Sequence, residues 1–152
     1  MTEQAQPTFS IEKIYVKDLS LEIPHAPQIY LQLDNPKLNI EFGTSGKPVE
    51  DGIYEVTLVA NVSATLPDGR TVFLVEVAQA GIFQLRNIPE SDLEPVMMIG
   101  CANILFPYVR ETVSDTLTRA GFQPVLLQPV NFEALYQAQQ EQRAASNDEQ
   151  DQ

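Results

Sequence analysis

The chain has no tryptophan, one cysteine, one histidine, and nine Lys and Arg residues against twenty-one Asp and Glu. Each shortage excludes something. Cys101 alone cannot close an internal disulfide, and one cysteine with one histidine does not make a structural zinc site. His25 lies between Pro24 and Pro27 in a turn, with no nucleophile signature nearby, so hydrolase chemistry has no local support and no catalytic residue is expected. No glycine opens a helix in a G-x-x-x-x-G-K pattern, so no phosphate loop, metal or cofactor is expected. The net charge of −12 argues against nucleic acid, which needs cationic density, and favours solubility and cationic partners. No apolar run approaches the roughly 18 residues of a membrane span, so direct membrane insertion is not expected. Met1 to Ser10 has neither a basic start nor an apolar core, so no signal peptide is read there and a reducing cytoplasm is the expected compartment.

What is present is a chain of 152 residues, 43% hydrophobic, enough for one domain with a sizeable core. The organising stretch is Asn103-Ile-Leu-Phe-Pro-Tyr-Val-Arg-Glu111 and the helix that continues from it. Leu105, Val109, Val113 and Leu117 recur every four residues as one apolar stripe. Pro107 is expected in the first turn of this helix, where its missing N–H costs nothing. Arg119 suits the last turn, and Gly121 supplies the left-handed stop. Pro124 and Pro129 interrupt regular structure. Asn131 then caps a second helix, with Val130 and Leu135 as a hydrophobic staple.

Upstream the period is two. Phe9, Ile11, Tyr15, Leu19, Leu21 and Ile23 alternate with Ser10, Glu12, Asp18, Ser20 and Glu22, which predicts a half-buried strand. Ile14 and Val16 fall with the second set. Residues 28–52 are irregular: Leu38, Ile40 and Phe42 alternate as a short strand or arm, broken by Gly43, Gly46, Pro48 and Gly52. A long loop this apolar must pack onto something or bind something. Ile53 to Leu66 is a clear strand with Tyr54, Val56, Leu58, Ala60, Val62 and Ala64 on one face. The Pro67-Asp68-Gly69 turn returns it antiparallel as Thr71 to Ala80, apolar on both faces and therefore central or at an interface. Gly81 predicts a bulge before Ile82 to Leu85. Ser91-x-x-Glu94 fits a capping box. The fold class expected is α+β: an antiparallel sheet of about four strands with one long and one shorter C-terminal helix. Residues 1–8 are expected to be a flexible N-terminus, 9–140 the domain, and 141–152 a disordered acidic tail.

These residues carry a family resemblance. Asn103 to Glu111, Pro129-Val-Asn-Phe-x-Ala-Leu135, Ile14-Tyr-x-Lys-Asp18, Glu22-x-Pro-x-Ala-Pro27, and Tyr54-Glu-Val56 with Gly81-Ile-Phe83 resemble the SecB export chaperones, in unbroken order over roughly residues 9–136. The resemblance implies an ATP-independent cytoplasmic chaperone that keeps precursor proteins unfolded and delivers them to the SecA motor. It also implies a homotetramer, a dimer of dimers, with Val75, Val77 and Gln79 at positions of the oligomer interface. Asp18, Glu22, Leu74 and Glu76 match the acidic surface that docks SecA's basic C-terminal segment; read from the residues alone, they are a sheet face that solvent would cover. Tyr30, Phe42, Phe106, Tyr108 and Phe132 are read as core packing or, functionally, as walls of a groove for extended polypeptide. The loop tryptophan of some relatives is absent, and Asp34-Asn35-Pro36 occupies that region. The rival reading is a small-ligand-binding or enzymatic α+β domain with the aromatics around a pocket.

Overall fold

The computed structural model describes residues 6–150. Four strands, β1 (Thr8–Glu22), β2 (Lys37–Glu50), β3 (Ile53–Thr65) and β4 (Thr71–Arg86), form one antiparallel sheet in the order β1-β4-β3-β2. Helix α1 (Glu90–Pro95) runs through a π-helical stretch, Val96–Cys101, directly into α2 (Ala102–Arg119); α3 (Phe132–Gln150) follows a proline-containing link. This is the α+β architecture expected, with the long helical run from Glu90 to Arg119 laid on one face of the sheet.

The core follows from two periods meeting. Leu105, Val109, Val113 and Leu117 are wholly buried, as are Val56, Leu58 and Ala60 on the facing side of β3 and Val77 on β4. Burying each of these leucine and valine side chains stabilises by about 1.5–3 kcal/mol relative to leaving it exposed. The stripe comes very close to the sheet at Gly81. A Cβ there would stand 2.7 Å from the Phe83 ring and 3.3 Å from Leu105. Gly81 therefore marks a close approach. The expected bulge is absent, and β4 pairs with β3 without a shift from Ile53↔Gln84 to Ala64↔Phe73.

The bulges lie on β1 instead, between Ile11 and Lys13 and between Val16 and Asp18. Each adds one residue and reverses the alternation. Ile14 and Val16 thus join Phe9, Ile11, Leu19 and Leu21 on the helix side, while Tyr15 moves to the outer face with Asp18 and Glu22. Simple alternation had placed these middle residues on the wrong faces. The second correction is β2. It continues across Gly43, Gly46 and Pro48 as one strand paired with β3. Proline is tolerated because β2 is an edge, and Gly46 leaves room for Met97, whose Sδ lies 2.8 Å from where a Cβ would stand.

Pro107 is inside α2, and the helix starts well before it. Its missing N–H leaves the Asn103 carbonyl without a helical donor, and Asn103 is exposed to water. Ser91 is also inside a helix: α1 starts after Pro89, no side chain caps it, and Glu90 and Asp92 occupy its first turn. The Gly121 stop and the Asn131 cap stand as expected. Phe122 N–H bonds Leu117 O at 3.0 Å beyond a left-handed Gly121, and Ala134 N–H bonds Asn131 Oδ1 at 3.0 Å.

Most of the expected flexible N-terminus lies outside the described residues; β1 begins at Thr8, and Asn87 donates to Gln6 O at 3.1 Å. Where a disordered acidic tail was expected from Glu141, α3 continues to Gln150. Its Gln, Glu, Ala and Arg are good helix formers, and Glu94 accepts from Arg143 at 3.1 Å and Gln140 at 3.4 Å. The remainder of that tail, Asp151 and Gln152, lies outside the described residues.

The Gly81 contact generates a prediction. Gly81→Ala should destabilise the fold by about 1–3 kcal/mol, because the buried Phe83 ring has no space to retreat into. A urea midpoint equal to that of the wild type would show that the helix is not held this close.

Candidate functional site

Two surfaces stand out, on opposite faces of the sheet. The first is an apolar hollow of about 560 Å³. Its near wall is Leu33, Pro36 and Leu38, from the connection after β1 and the start of β2. Its far wall is Phe122, Val125 and Leu126, from the link after α2, and Phe73 of β4 forms part of its floor. Leu126 is 71% exposed, so the hollow opens to solvent along its rim. Apolar walls of this kind accept side chains without reading sequence closely.

The five aromatic candidates do not gather here. Phe42, Phe106 and Phe132 pack edge-on against one another, with centroids 6.0–6.5 Å apart. The Asn131 cap starts α3 so that Phe132 lands on α2 and β2, and Phe106 and Phe132 are buried. Arg110 lies over Phe106 at 5.6 Å. Tyr30 belongs to another group: it stacks on Phe122 at 5.1 Å, and Phe122 packs on Phe73 at 5.0 Å. Tyr108 is half exposed. The residues that do line the hollow, Leu33, Leu38, Phe122, Val125 and Leu126, were not singled out from sequence. The apolar alternation at Leu38 and the apolar residues between Gly121 and Pro129 were the available signals.

The second surface is the outer face, where a hollow of about 490 Å³ lies across all four strands. Register builds it. Glu22 pairs with Leu74, which pairs with Ser63, which pairs with Asn39; the next row is Ser20, Glu76, Asn61 and Glu41. Asp18 sits one pair further along, opposite Ala78. The four residues Asp18, Glu22, Leu74 and Glu76 are thus brought together on adjacent strands, with Leu74 partly exposed between carboxylates. Glu41 completes the row from β2 and was missed because β2 was not read as a full strand. Among the described residues, none of these four carboxylates has an ion pair.

Two lysines of this face, Lys17 and Lys47, are engaged elsewhere. Glu55 is bound by Lys17 at 2.6 Å, faces Lys47 at 3.7 Å, and accepts a hydrogen bond from the Tyr15 hydroxyl. The Lys17 hydrogen bond, then that of Tyr15, holds the Glu55 carboxyl below its usual range. Burial, then the Glu55 carboxylate, pushes Tyr15 up to about 12. Desolvation likewise raises Cys101 to about 12, which leaves its buried thiol unreactive at neutral pH. Val75, Val77 and Gln79 are almost fully buried on the helix side, beneath α2, and Gln79 Oε1 has no hydrogen-bond partner among the described residues. No group of three or more His, Cys, Asp or Glu among the described residues is arranged to hold a metal. No helix among them is long and apolar enough to cross a membrane.

A depressed carboxyl contributes stability above its unfolded-state value of about 4.3 and loses it as pH falls through its lower folded value. Glu55→Gln should therefore lower Tm at pH 7, and the gap from wild type should close in thermal scans taken towards pH 3. A gap that stays constant with pH would assign the loss to packing instead of charge.

The family model of the preprotein translocase subunit SecB matches residues 2–143. Curated relatives called protein-export protein SecB include that of Aromatoleum aromaticum, 68% identical over 92% of this chain and 90% of its own length. Another, from Neisseria gonorrhoeae, is 57% identical over 95% of this chain and 99% of its own. Among solved structures, a SecB-like chaperone of Mycobacterium tuberculosis in complex with a ChAD peptide from an antitoxin superposes with a TM-score of 0.67. It is 17% identical and covers 80% of this chain and 90% of its own, a likeness of fold.

Proposed function

The chain belongs to the SecB family and is a protein-export chaperone, and from that footing we propose that it holds unfolded precursor chains in the apolar hollow, without nucleotide, and passes them to SecA from the acidic sheet face. The observation that carries this is the pairing of an open, apolar hollow with an acidic face whose carboxylates have no ion pair among the described residues. SecB is not an enzyme family, and the rival small-ligand or enzymatic reading has no support. The fold is shared with a chaperone solved with a bound peptide, in keeping with polypeptide as the occupant. We place the protein in the cytoplasm, with residues 9–140 as the working domain.

The proposed SecA surface is Asp18, Glu22, Leu74 and Glu76, extended by Glu41. A basic segment docked there gains Coulomb attraction that salt screens over about 8–10 Å, together with apolar burial on Leu74. Glu76→Lys should weaken SecA binding at least tenfold by calorimetry while leaving client binding intact, and wild-type affinity should fall as salt rises. Salt-independent docking that Glu76→Lys does not disturb would remove this face from the reading.

The proposed assembly is a homotetramer, a dimer of dimers. On the helix side of β1, Phe9, Ile11, Val16, Leu19 and Leu21 are all substantially exposed beside α2. Val77, which pairs with Leu19, is buried in the chain's own core. Val75, Val77 and Gln79 would then act as the layer beneath the contact, with β1 as its surface. Leu19→Asp should lower the mass seen by light scattering with the fold retained, whereas Val77→Asp should unfold the chain, because it buries an unpaired charge. A wild type that is monomeric at micromolar concentration would overturn the assembly.

A further inference from the structure

The near wall of the apolar hollow is irregular chain, and something other than a strand ladder must hold it. Among the described residues, no backbone–backbone hydrogen bond involves Leu33 to Pro36. The wall is instead tied at two posts. At the first, the Tyr30 hydroxyl donates to Ala120 O at 2.6 Å, at the end of α2, and the Tyr30 ring stacks on Phe122. At the second, Arg70 Nη1 donates to Gln32 Oε1 at 2.6 Å. Arg70 is itself aimed by Asp68, which accepts from Arg70 Nε at 2.9 Å and from its backbone N–H at 3.0 Å.

Neither Tyr30 nor Arg70 lines the hollow. Tyr30 joins the two walls from behind: its backbone leads into Leu33, while its ring and hydroxyl hold Phe122 and Ala120. Arg70 reaches the same segment two residues further on, from the β3–β4 turn. We propose that Tyr30 and Arg70 are positioning residues for client binding, pins that fix the separation of the Leu33 and Phe122 walls. The inference rests on the apolar hollow being the client site. A pinned wall is already in its binding shape. An unpinned one is competent for only a fraction of the time, and apparent affinity falls by that fraction.

The test uses the full chain and a fluorescein-labelled, uncharged extended peptide rich in Leu and Phe, titrated by anisotropy. Tyr30→Phe keeps the ring stack and removes only the hydroxyl. It should weaken the peptide about three- to tenfold, the range set by one hydrogen bond. It should also speed amide hydrogen exchange at Leu33 to Lys37, with Tm nearly unchanged. Arg70→Ala should act in the same direction. The double variant should lose more than the product of the two, because each single variant still leaves the segment partly held by the other pin. Leu126→Asp, on the exposed rim of the hollow, separates the two ideas. If Leu126→Asp loses the peptide while Tyr30→Phe binds and exchanges like wild type, the pins are overturned and the hollow stands. If Leu126→Asp binds like wild type, the hollow is not the client site, and the proposal falls with it. A lowered Tm in Tyr30→Phe without faster exchange at 33–37 would make Tyr30 a purely structural residue and would also overturn the pins.

Discussion

The close seating of α2 on the sheet is the contact from which the rest of the structure follows. Gly81 allows it, and the stripe from Leu105 to Leu117 fills the space against Val56, Leu58, Ala60 and Val77. With α2 fixed there, its C-terminus delivers Gly121 and Phe122 to the sheet, where they begin the far wall of the apolar hollow. The same seating leaves the helix side of β1 uncovered, so Leu19 and Leu21 remain exposed while their partners Val77 and Val75 are buried. One packing decision therefore makes both the proposed client wall and the proposed assembly face.

The outer face depends on the bulges of β1. Without the shift between Val16 and Asp18, Asp18 and Tyr15 would point to opposite sides of the sheet. With it, both are outside, and Tyr15 and Lys17 can satisfy Glu55. The Glu55 carboxylate is thereby paired within the sheet face, while Glu22, Glu41 and Glu76 have no ion pair among the described residues. The net charge of −12 does not by itself distinguish these two fates; the register does.

What was legible in the sequence was whatever a single period controls. Tyr54 to Ala64 alternates without interruption, Pro67-Asp68-Gly69 names its turn, and the stripe from Leu105 to Leu117 needs only the helical repeat. What was not legible required a second chain segment. A β1 bulge is defined by its partner strand, so Ile14, Tyr15 and Val16 could not be placed on faces from their own alternation. β2 looked broken at Gly43, Gly46 and Pro48 because those residues are poor in isolated strands. Pairing with β3 and the bulk of Met97 over Gly46 explain them. Pro107 looked like a helix start because the upstream turns, Glu90 to Cys101, carry weak helical signals of their own. Spacings of four and two residues on two strands put the acidic residues on one face, but only the family resemblance singled them out as a docking surface. The apolar lining was not legible, because it is assembled from a loop and a link that have no period.

The two proposed sites share strands. Leu38 faces the apolar hollow, while Asn39 and Glu41 face the acidic one; Phe73 lines the first and Leu74 and Glu76 the second. Alternation along β2 and β4 thus places the sites back to back, separated by one sheet layer. A basic partner on the outer face and an extended chain in the hollow would not collide, so transfer need not begin with direct displacement. Binding on one face bears on the backbone that carries the other. A sheet layer is close-packed and responds to strain at one surface by shifting at the other. Many weak contacts repeated around an assembly hold a flexible chain through effective concentration, and loosening a few of them shortens its residence. Opposed faces of the same strands would let the proposed motor engage the outer face while the proposed client stays in the hollow.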